Sequence, residues 1–283
     1  MTRAAMLGAG CLLAMALHAS ELRAAGIDCA KAATAVEKLL CSDPGLKGAD
    51  TAVADAFAAA LAAGSDAAAA RASQRDWLKK RNACADAACL TAVHAARKAE
   101  LEGMAATAKR QTLAERARLR AMLGWPDTCE ASFQELHSPE RDASAFPGTG
   151  VERHALGDGR TLYCILCDQA AYQGVYVAVL QEKPDGPGTL LRFPLYDRSD
   201  GKVTRTEETE LAGTLDFTPR TGELAIFSKA RGVGDCGSFV RYAFPATGPS
   251  RVRVVEARAR ACSDRPPQGN GIDPATWPLV KNP

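Results

Sequence analysis

The sequence has little net charge, few histidines and few aromatic residues. Its 35 basic and 33 acidic residues leave a formal charge of +2, which is too weak to indicate nucleic acid or an anionic membrane surface as a partner. Four histidines offer few general bases, and none follows a nucleophile signature such as Gly-x-Ser-x-Gly. We therefore expect a protein without catalytic activity that binds no nucleic acid.

Long apolar runs are absent after the first residues, so we predict no transmembrane segment. The chain begins Met-Thr-Arg, which places a basic residue near its start, and continues with an apolar run at Leu7–Leu17 and the small residues Ala24-Ala25-Gly26. This order is typical of a secretory signal peptide, which we place at residues 1–26 with Ile27 first in the mature chain. Cys11 fits a lipoprotein signal poorly, because a glycine stands where a leucine is expected. The predicted location is the periplasm or the extracellular space.

Cysteine, in contrast, is abundant: the chain has ten, of which one lies in the predicted signal peptide. In an oxidising compartment the remaining nine should mostly pair, and their odd number leaves at least one free or bound to a partner. The disulfide candidates are Cys29, Cys41, Cys84, Cys89, Cys129, Cys164, Cys167, Cys236 and Cys262. We prefer Cys236–Cys262 as one bridge, because neighbouring antiparallel strands could bring their segments together.

Residues 27–98 are rich in alanine and predict a small helical bundle whose thin core is cross-linked by disulfides. We expect a first helix over Cys29–Cys41, a second over residues 49–63 and a third from residue 67 toward Arg97. Along one helix Cys29 and Cys41 would lie about 18 Å apart. We therefore favour bridges between the first and third helices, since Cys84 and Cys89 could join only if the helix breaks between them.

On the predicted third helix, Trp77, Arg81 and Cys84 share one face. Tryptophan and arginine often anchor binding interfaces, so Trp77 and Arg81 are candidate binding residues. In the alternative interpretation Trp77 fills the core of the bundle and Arg81 caps a helix or pairs with a neighbour. His94 is read as a surface or packing residue.

Residues 99–123 are charged and alanine-rich, and we interpret them as a helical connector with a solvated face. After Gly124-Trp125-Pro126, short segments separated by turns predict an antiparallel sheet over residues 124–283. The predicted strands are Thr161–Leu166, Gly174–Gln181, Thr189–Leu195, Glu210–Phe217, Glu223–Ser228, Ser238–Phe244 and Arg251–Ala257. The expected fold class is α+β in two domains, a disulfide-bonded helical bundle followed by a mainly antiparallel β domain.

Three motifs could suggest chemistry, and each has a structural alternative. Cys164-Ile165-Leu166-Cys167 has the C-x-x-C spacing of a dithiol redox site, but its flanks are strand residues and not a helix start. Because the chain has no second C-x-x-C and no paired histidines, we expect no metal. Gly232-x-Gly234-x-x-Gly237 lacks the strand and helix of a dinucleotide loop and predicts a turn. Glu207-Glu208 would face opposite sides of a strand, unlike a glycosidase pair. We expect no cofactor.

Two family resemblances cover nearly all of the predicted mature chain. The first rests on Asp28-Cys29 with Thr34, Glu37 and Cys41, then on Gln74-Arg75-x-Trp77-Leu78-x-x-Arg81-x-x-Cys84 and Cys89-Leu90. In these positions residues 27–98 resemble the LprI-type lysozyme-inhibitor N-terminal domain. The resemblance implies a secreted, disulfide-bonded helical domain that inhibits lysozyme.

The second resemblance rests on Trp125-Pro126 with Cys129, on Cys167-x-x-Ala170-Ala171-Tyr172-Gln173, on Gly232-Val233-Gly234-Asp235-Cys236-Gly237, and on Cys262 followed by Asp273-Pro274-x-x-Trp277-Pro278. In these positions residues 124–283 are similar to an uncharacterised family of secreted bacterial β domains, which implies a compartment and a fold but no activity.

Three functional hypotheses follow. The first is a secreted or periplasmic lysozyme inhibitor that acts by binding, although basic side chains outnumber acidic ones in residues 27–98, which counts against a basic partner there. The second is an envelope binding or scaffolding protein that recognises another protein or a cell-wall glycan. The third is a thiol oxidoreductase using Cys164 and Cys167. The oligomeric state is not predicted.

Overall fold

The computed structural model describes residues 26–136, 148–199, 201–248, 250–263, 272–281 and 283. Apart from Gly26, the predicted signal peptide and its Cys11 lie outside the described residues. The fold is α+β, as predicted, with helices in the N-terminal part and an antiparallel sheet in the C-terminal part. The chain divides into two compact units. Among the described residues, the helical unit comprises those up to Ala58 together with Ala72–Leu101, and the β unit comprises Ala59–Arg71 together with those from Glu102 onward.

The part of the chain that the structure describes holds five α-helices: α1 (Ala35–Ser42), α2 (Pro44–Ala62), α3 (Ala67–Asn82), α4 (Ala87–Leu123) and α5 (Asp127–Leu136). Thr34 and Glu37 form a capping box at the start of α1. Asp43 Oδ1 accepts hydrogen bonds from the Gly45 and Leu46 N–H groups at 2.8 and 3.2 Å, and Pro44 suits a first helical position. Helix α2 therefore begins two residues after the end of α1.

The predicted third helix is divided into two helices, because α3 ends at Asn82 and α4 begins at Ala87. Asp86 Oδ1 accepts a hydrogen bond from the Cys89 N–H at 2.8 Å, which satisfies a free donor of the first turn of α4. Helix α4 then continues without interruption through the segment that we interpreted as a separate connector, and ends at Leu123.

The disulfides of the helical unit are Cys29–Cys41 and Cys84–Cys89, so the expected bridges between the first and third helices are wrong. Cys29 lies in a separate 3₁₀ turn, Cys29–Lys31, and the chain folds back before α1 begins, which brings the Cys29 and Cys41 Cα atoms to 5.6 Å. Cys84 and Cys89 can join because the helix breaks between them.

The β unit contains a sheet with strand order β1-β2-β3-β7-β8-β9-β10, in which β4 also pairs with β3, and a separate β5–β6 hairpin. All pairs among the described strands are antiparallel. The strands are β1 (Val151–Ala155), β2 (Thr161–Ala170), β3 (Gln173–Gln181), β4 (Gly188–Leu190), β5 (Phe193–Ser199), β6 (Lys202–Glu208), β7 (Glu210–Thr218), β8 (Glu223–Lys229), β9 (Gly237–Ala243) and β10 (Arg253–Arg260).

Both faces of the sheet are covered at β2 and β3. Leu162 and Cys164 of β2 belong to the core on one face, whereas Tyr163, Ile165 and Cys167 belong to the core on the other. Successive strand residues point to opposite faces, so this alternation explains why Thr161–Cys167 is buried throughout. The ends of α4 and α5 cover the second face.

Two disulfides stabilise the β unit. Cys129 of α5 is bonded to Cys167 of β2, which ties the helix to the sheet it covers. Cys236 is bonded to Cys262, as predicted from the sequence. These cysteines lie just before β9 and just after β10, which are antiparallel neighbours.

A buried arginine connects α4, α5 and the sheet. Arg116 has no exposed surface and donates hydrogen bonds to Glu130 Oε2 at 2.8 Å, Thr149 O at 2.8 Å and Leu166 O at 3.2 Å. Burial lowers the pKa of Arg116 and the Glu130 carboxylate opposes this effect, and a guanidinium remains protonated in proteins. The Arg116–Glu130 pair is therefore a buried ion pair whose hydrogen-bonding groups are well satisfied.

Candidate functional site

The helical unit has a polar cluster in its interior, formed by Asp50 of α2, Arg81 of α3 and His94 of α4. Asp50 Oδ1 lies 3.2 Å from Arg81 Nη1 and 3.2 Å from His94 Nε2, and Asp50 Oδ2 accepts a 2.7 Å hydrogen bond from the Ile27 backbone N–H. Burial alone would raise the pKa of Asp50, but the hydrogen bonds from His94 and Ile27 and the charge of Arg81 hold it below its ordinary value. Asp50 is thus a buried, ionised carboxylate.

The structure brings the two predicted binding residues, Trp77 and Arg81, together, but their polar groups already bind other residues of the same unit. Trp77 is buried, its Nε1–H donates to Val93 O at 3.1 Å, and its ring meets the edge of His94. The Arg81 guanidinium lies 5.5 Å from the Trp77 ring centre and pairs with Asp50. His94 is a buried packing residue and not a surface residue. A binding role for Trp77 and Arg81 remains a prediction.

An open cleft of about 570 Å³ lies in the β unit, between the β5–β6 hairpin and the main sheet. Thr204, Thr206 and Glu208 alternate along β6 and share the face that lines it. Their partners across the hairpin include Asp197, which is paired with Thr204. The opposite wall comes from β3, β7, β8 and β9.

Charge in this cleft is mainly negative. Asp197, Glu208 and Glu210 line it and are exposed, whereas Lys229 is the cation among its lining residues. No local sequence pattern predicts this site, because its carboxylates come from three strands, β5, β6 and β7, that meet only through long-range pairing. The one local indication is that β6 is polar at every position except Val203. The cleft is suited to bind a basic or hydroxyl-rich ligand.

The neighbouring carboxylates Glu207 and Glu208 behave as expected for adjacent strand residues. Glu208 lines the cleft, whereas Glu207 accepts a 2.6 Å hydrogen bond from Arg205, two residues earlier on the same strand. The two groups face opposite sides of β6 and do not converge on one bond.

The Cys164-x-x-Cys167 motif is not a dithiol pair. Cys167 is bonded to Cys129, and Cys164 is a buried free thiol on the opposite face of β2. Burial, with a smaller contribution from the charge of Glu152, raises the pKa of Cys164 to about 12. Since the thiolate is the reactive form, this thiol is chemically inert in the folded protein.

We expect the native protein without the predicted signal peptide, residues 1–26, to show no reaction with a thiol-reactive dye at pH 8, and to release one thiol equivalent after unfolding in guanidinium without reductant. At that pH a pKa of about 12 leaves only about one thiol in ten thousand ionised. Dye absorbance before and after unfolding measures both states, and the Cys164→Ala protein should give no signal in either. Fast labelling of the folded protein would contradict the buried placement of Cys164.

The glycine-rich motif forms a turn, as predicted. Gly232-x-Gly234-x-x-Gly237 connects the antiparallel strands β8 and β9. The Arg231 guanidinium donates to the carboxylate of the buried Asp235. At Gly237 φ is +131°, and an added Cβ would lie 2.1 Å from Ser228 O, so this position requires glycine.

The described residues contain neither a candidate membrane span nor a candidate metal site. None of the helices in the described ranges is long and apolar enough to cross a membrane. Within the same ranges, no group of three or more His, Cys, Asp or Glu side chains is placed to hold a metal ion.

Together these features define a disulfide-bonded α+β protein with a helical unit, an antiparallel β unit and an open acidic cleft. Residues 56–281 match the family described as "Protein of unknown function (DUF1176)", and the chain belongs to this family. The match agrees with the predicted resemblance to an uncharacterised family, but begins at residue 56, within the segment that resembled the LprI-type domain.

The chain is also similar to the uncharacterized protein YpfG of Escherichia coli (strain K12), with 30% identity over 129 residues. This match covers 44% of the chain and 33% of that relative, so the chain matches about a third of the relative's length. No solved structure is significantly similar to the chain. Neither sequence match supports the resemblance of residues 27–98 to the LprI-type domain, which stays a prediction.

Proposed function

We propose that the protein is exported to the cell envelope and acts by binding, without catalysis, and that lysozyme is its partner. Four disulfides among the described cysteines support an oxidising compartment, and the signal-peptide pattern of residues 1–26 provides the route. The resemblance of residues 27–98 to the LprI-type domain supports lysozyme as the partner.

The observation that carries this proposal is the acidic cleft of the β unit. Lysozyme is strongly basic, and complementary charge promotes encounter and fixes orientation. Asp197, Glu208 and Glu210 provide that charge on an exposed surface, whereas basic side chains outnumber acidic ones in residues 27–98. The contact is therefore assigned to the cleft in preference to Trp77 and Arg81.

We expect the purified mature protein to slow the clearing of bacterial cell walls by lysozyme. Replacing the three cleft carboxylates (Asp197→Asn, Glu208→Gln, Glu210→Gln) should weaken inhibition about tenfold or more, because about 1.4 kcal/mol of lost attraction corresponds to a factor of ten. The wild-type effect should also weaken with added salt, since exposed charges are screened. The measurement is the inhibitor concentration that halves the clearing rate.

A matched control has the same change in net charge elsewhere, at the exposed residues Asp55, Asp185 and Asp216, each changed to asparagine. This variant should inhibit like the wild type. Unaltered clearing at a high molar excess of wild-type protein rejects lysozyme as the partner, and equal loss in both triple variants rejects the cleft as the contact.

A cell-wall glycan is the second candidate, and the exposed hydroxyls of Thr204 and Thr206 beside Asp197 and Glu208 favour it. Hydroxyl and carboxylate groups are suitable hydrogen-bond partners for sugar hydroxyls. Calorimetric titration with soluble peptidoglycan fragments tests this candidate. Heat of binding that is lost in the cleft variant and kept in the control variant would support a glycan in place of lysozyme.

A further inference from the structure

The backbone nitrogen of Ile27 is held against α2 by a short hydrogen bond to the buried carboxylate of Asp50. Asp50 is 6% exposed, and its contacts with Arg81 and His94 are both 3.2 Å, whereas the Ile27 nitrogen lies 2.7 Å from Oδ2. The Ile27 side chain packs against the core around Leu40. Residue 27 is therefore held by both its backbone nitrogen and its side chain.

Ile27 is also the residue that the small-residue pattern Ala24-Ala25-Gly26 predicts as first in the mature chain. In the uncut chain its nitrogen is a neutral amide with one N–H. After cleavage it becomes an ammonium with three donors and a full positive charge, at a distance typical of charge-assisted N–H···O bonds. Gly26 has no side chain, so its removal takes away no side-chain contact.

The charges around the nitrogen favour an added cation. A cavity of about 250 Å³ beside Ile27 is lined by two carboxylates, Asp50 and Glu37, and by one guanidinium, Arg81. The remaining titratable neighbour is His94 of α4, on the other oxygen of Asp50. A buried carboxylate gains most from a partner that is both charged and hydrogen-bonded, and a new ammonium at residue 27 meets both conditions at the unshared oxygen Oδ2.

We infer that maturation completes the helical unit: hydrolysis of the Gly26–Ile27 peptide bond creates an α-ammonium that forms a buried ion pair with Asp50. A signal peptidase cleaves the bond, and water supplies the hydroxyl group of the new Gly26 carboxyl group and a hydrogen to the Ile27 nitrogen. The carboxyl group then releases its proton to solvent, and the amine takes one up. The helical unit gains this ion pair only after export. The inference rests on the proposed export of the chain.

The first test is the intact mass of the protein purified after export, with its disulfides retained. The expected mass is that of a chain beginning at Ile27. Recovery of the uncut chain from the cytoplasm would reject the proposed export itself. An exported chain that begins at another residue would leave export standing and overturn the ion pair.

The second test compares full mature chains that begin at Ile27 with chains that keep residues 24–26 and with chains acetylated on Ile27. Both modified forms should melt about 2–4 °C lower, since 1 kcal/mol corresponds to such a shift in a protein of this size. In an Asp50→Asn background the three forms should melt together, whereas the control Asp55→Asn, an exposed residue of the same helix, should preserve the difference.

The acetylated form keeps Asp50 unchanged, so the comparison remains decisive even if the Asp50→Asn protein fails to fold. Equal melting of the free and acetylated chains would overturn the inference. So would an unchanged difference in the Asp50→Asn background, because the ammonium would then act without this carboxylate.

Discussion

Replacing Arg116 with methionine is expected to lower the free energy of unfolding of the β unit by about 3–5 kcal/mol, because it leaves a buried carboxylate without its charged partner. Glu130 is 8% exposed and takes a 2.8 Å bond from Arg116 Nε. The change also leaves two backbone carbonyls, Thr149 O and Leu166 O, without their donor. Guanidinium denaturation with the disulfides intact measures the loss.

The aromatic rings around Arg116 add to this effect. The guanidinium carbon lies 3.4 Å from the Phe133 ring centre and 5.1 Å from that of Trp125, where a cation is attracted to the ring faces. Methionine keeps the volume approximately and removes the charge, so the measured loss reports mainly on electrostatics and hydrogen bonding.

Two comparison variants make this prediction specific. Arg118→Met changes an exposed arginine two residues away, whose contacts are with Glu115 on the same helix, and should alter stability by less than about 1 kcal/mol. Adding Glu130→Gln to Arg116→Met should recover part of the loss, because the uncompensated charge is removed while an acceptor for Trp125 Nε1 remains. A loss under 1 kcal/mol for Arg116→Met would contradict the buried ion pair.

The strands of the sheet could be predicted where both local pattern and burial pointed to the same element. Segments such as Thr161–Leu166 and Glu223–Ser228 are apolar or β-branched and lie between turn residues. In contrast, β6 has one large apolar residue, Val203, and forms by pairing with β5. Strand β1 is five residues long and largely exposed or half-buried. Neither carries enough local signal to be distinguished from a loop.

The error in the helical disulfides came from assigning Cys29 to a helix. The distance of about 18 Å applies only to two residues of one α-helix, and Cys29 precedes α1. A signal for the true helix start was present in the sequence, because Thr34 and Glu37 have the spacing of a capping box. Local chemistry at residue 34 therefore predicts the helix boundary better than the alanine content that surrounds it.

The candidate sites were harder to predict because they are formed by long-range contacts. Asp50 is an ordinary acidic residue of an alanine-rich helix, and only the fold brings it to Arg81, His94 and Ile27. In the β unit, the cleft joins carboxylates of β5, β6 and β7. Hydrophobic periodicity predicts which face of an element is buried, but it does not predict which polar groups from different elements meet.

Replacing both Cys129 and Cys167 with alanine is expected to lower the stability of the β unit by about 4 kcal/mol. The bridge closes a loop with a sequence separation of 38, and the loss of this constraint enlarges the conformational freedom of the unfolded chain. Both cysteines are 2% exposed, so the shorter side chains also reduce packing between α5 and β2. Denaturant titrations give the free energy of unfolding from both the midpoint and the slope, and the slope should rise because the unfolded chain without the bridge is less compact.

The Cys84→Ala, Cys89→Ala double variant is the matched comparison, because it also removes one disulfide and two sulfur atoms. That bridge has a sequence separation of only 5, and the same entropic argument gives about 2 kcal/mol. The order of the two losses follows from loop length if the bridges act mainly on the unfolded chain. Equal losses, or a larger loss for Cys84 and Cys89, would show instead that local strain or packing at each bridge determines its contribution.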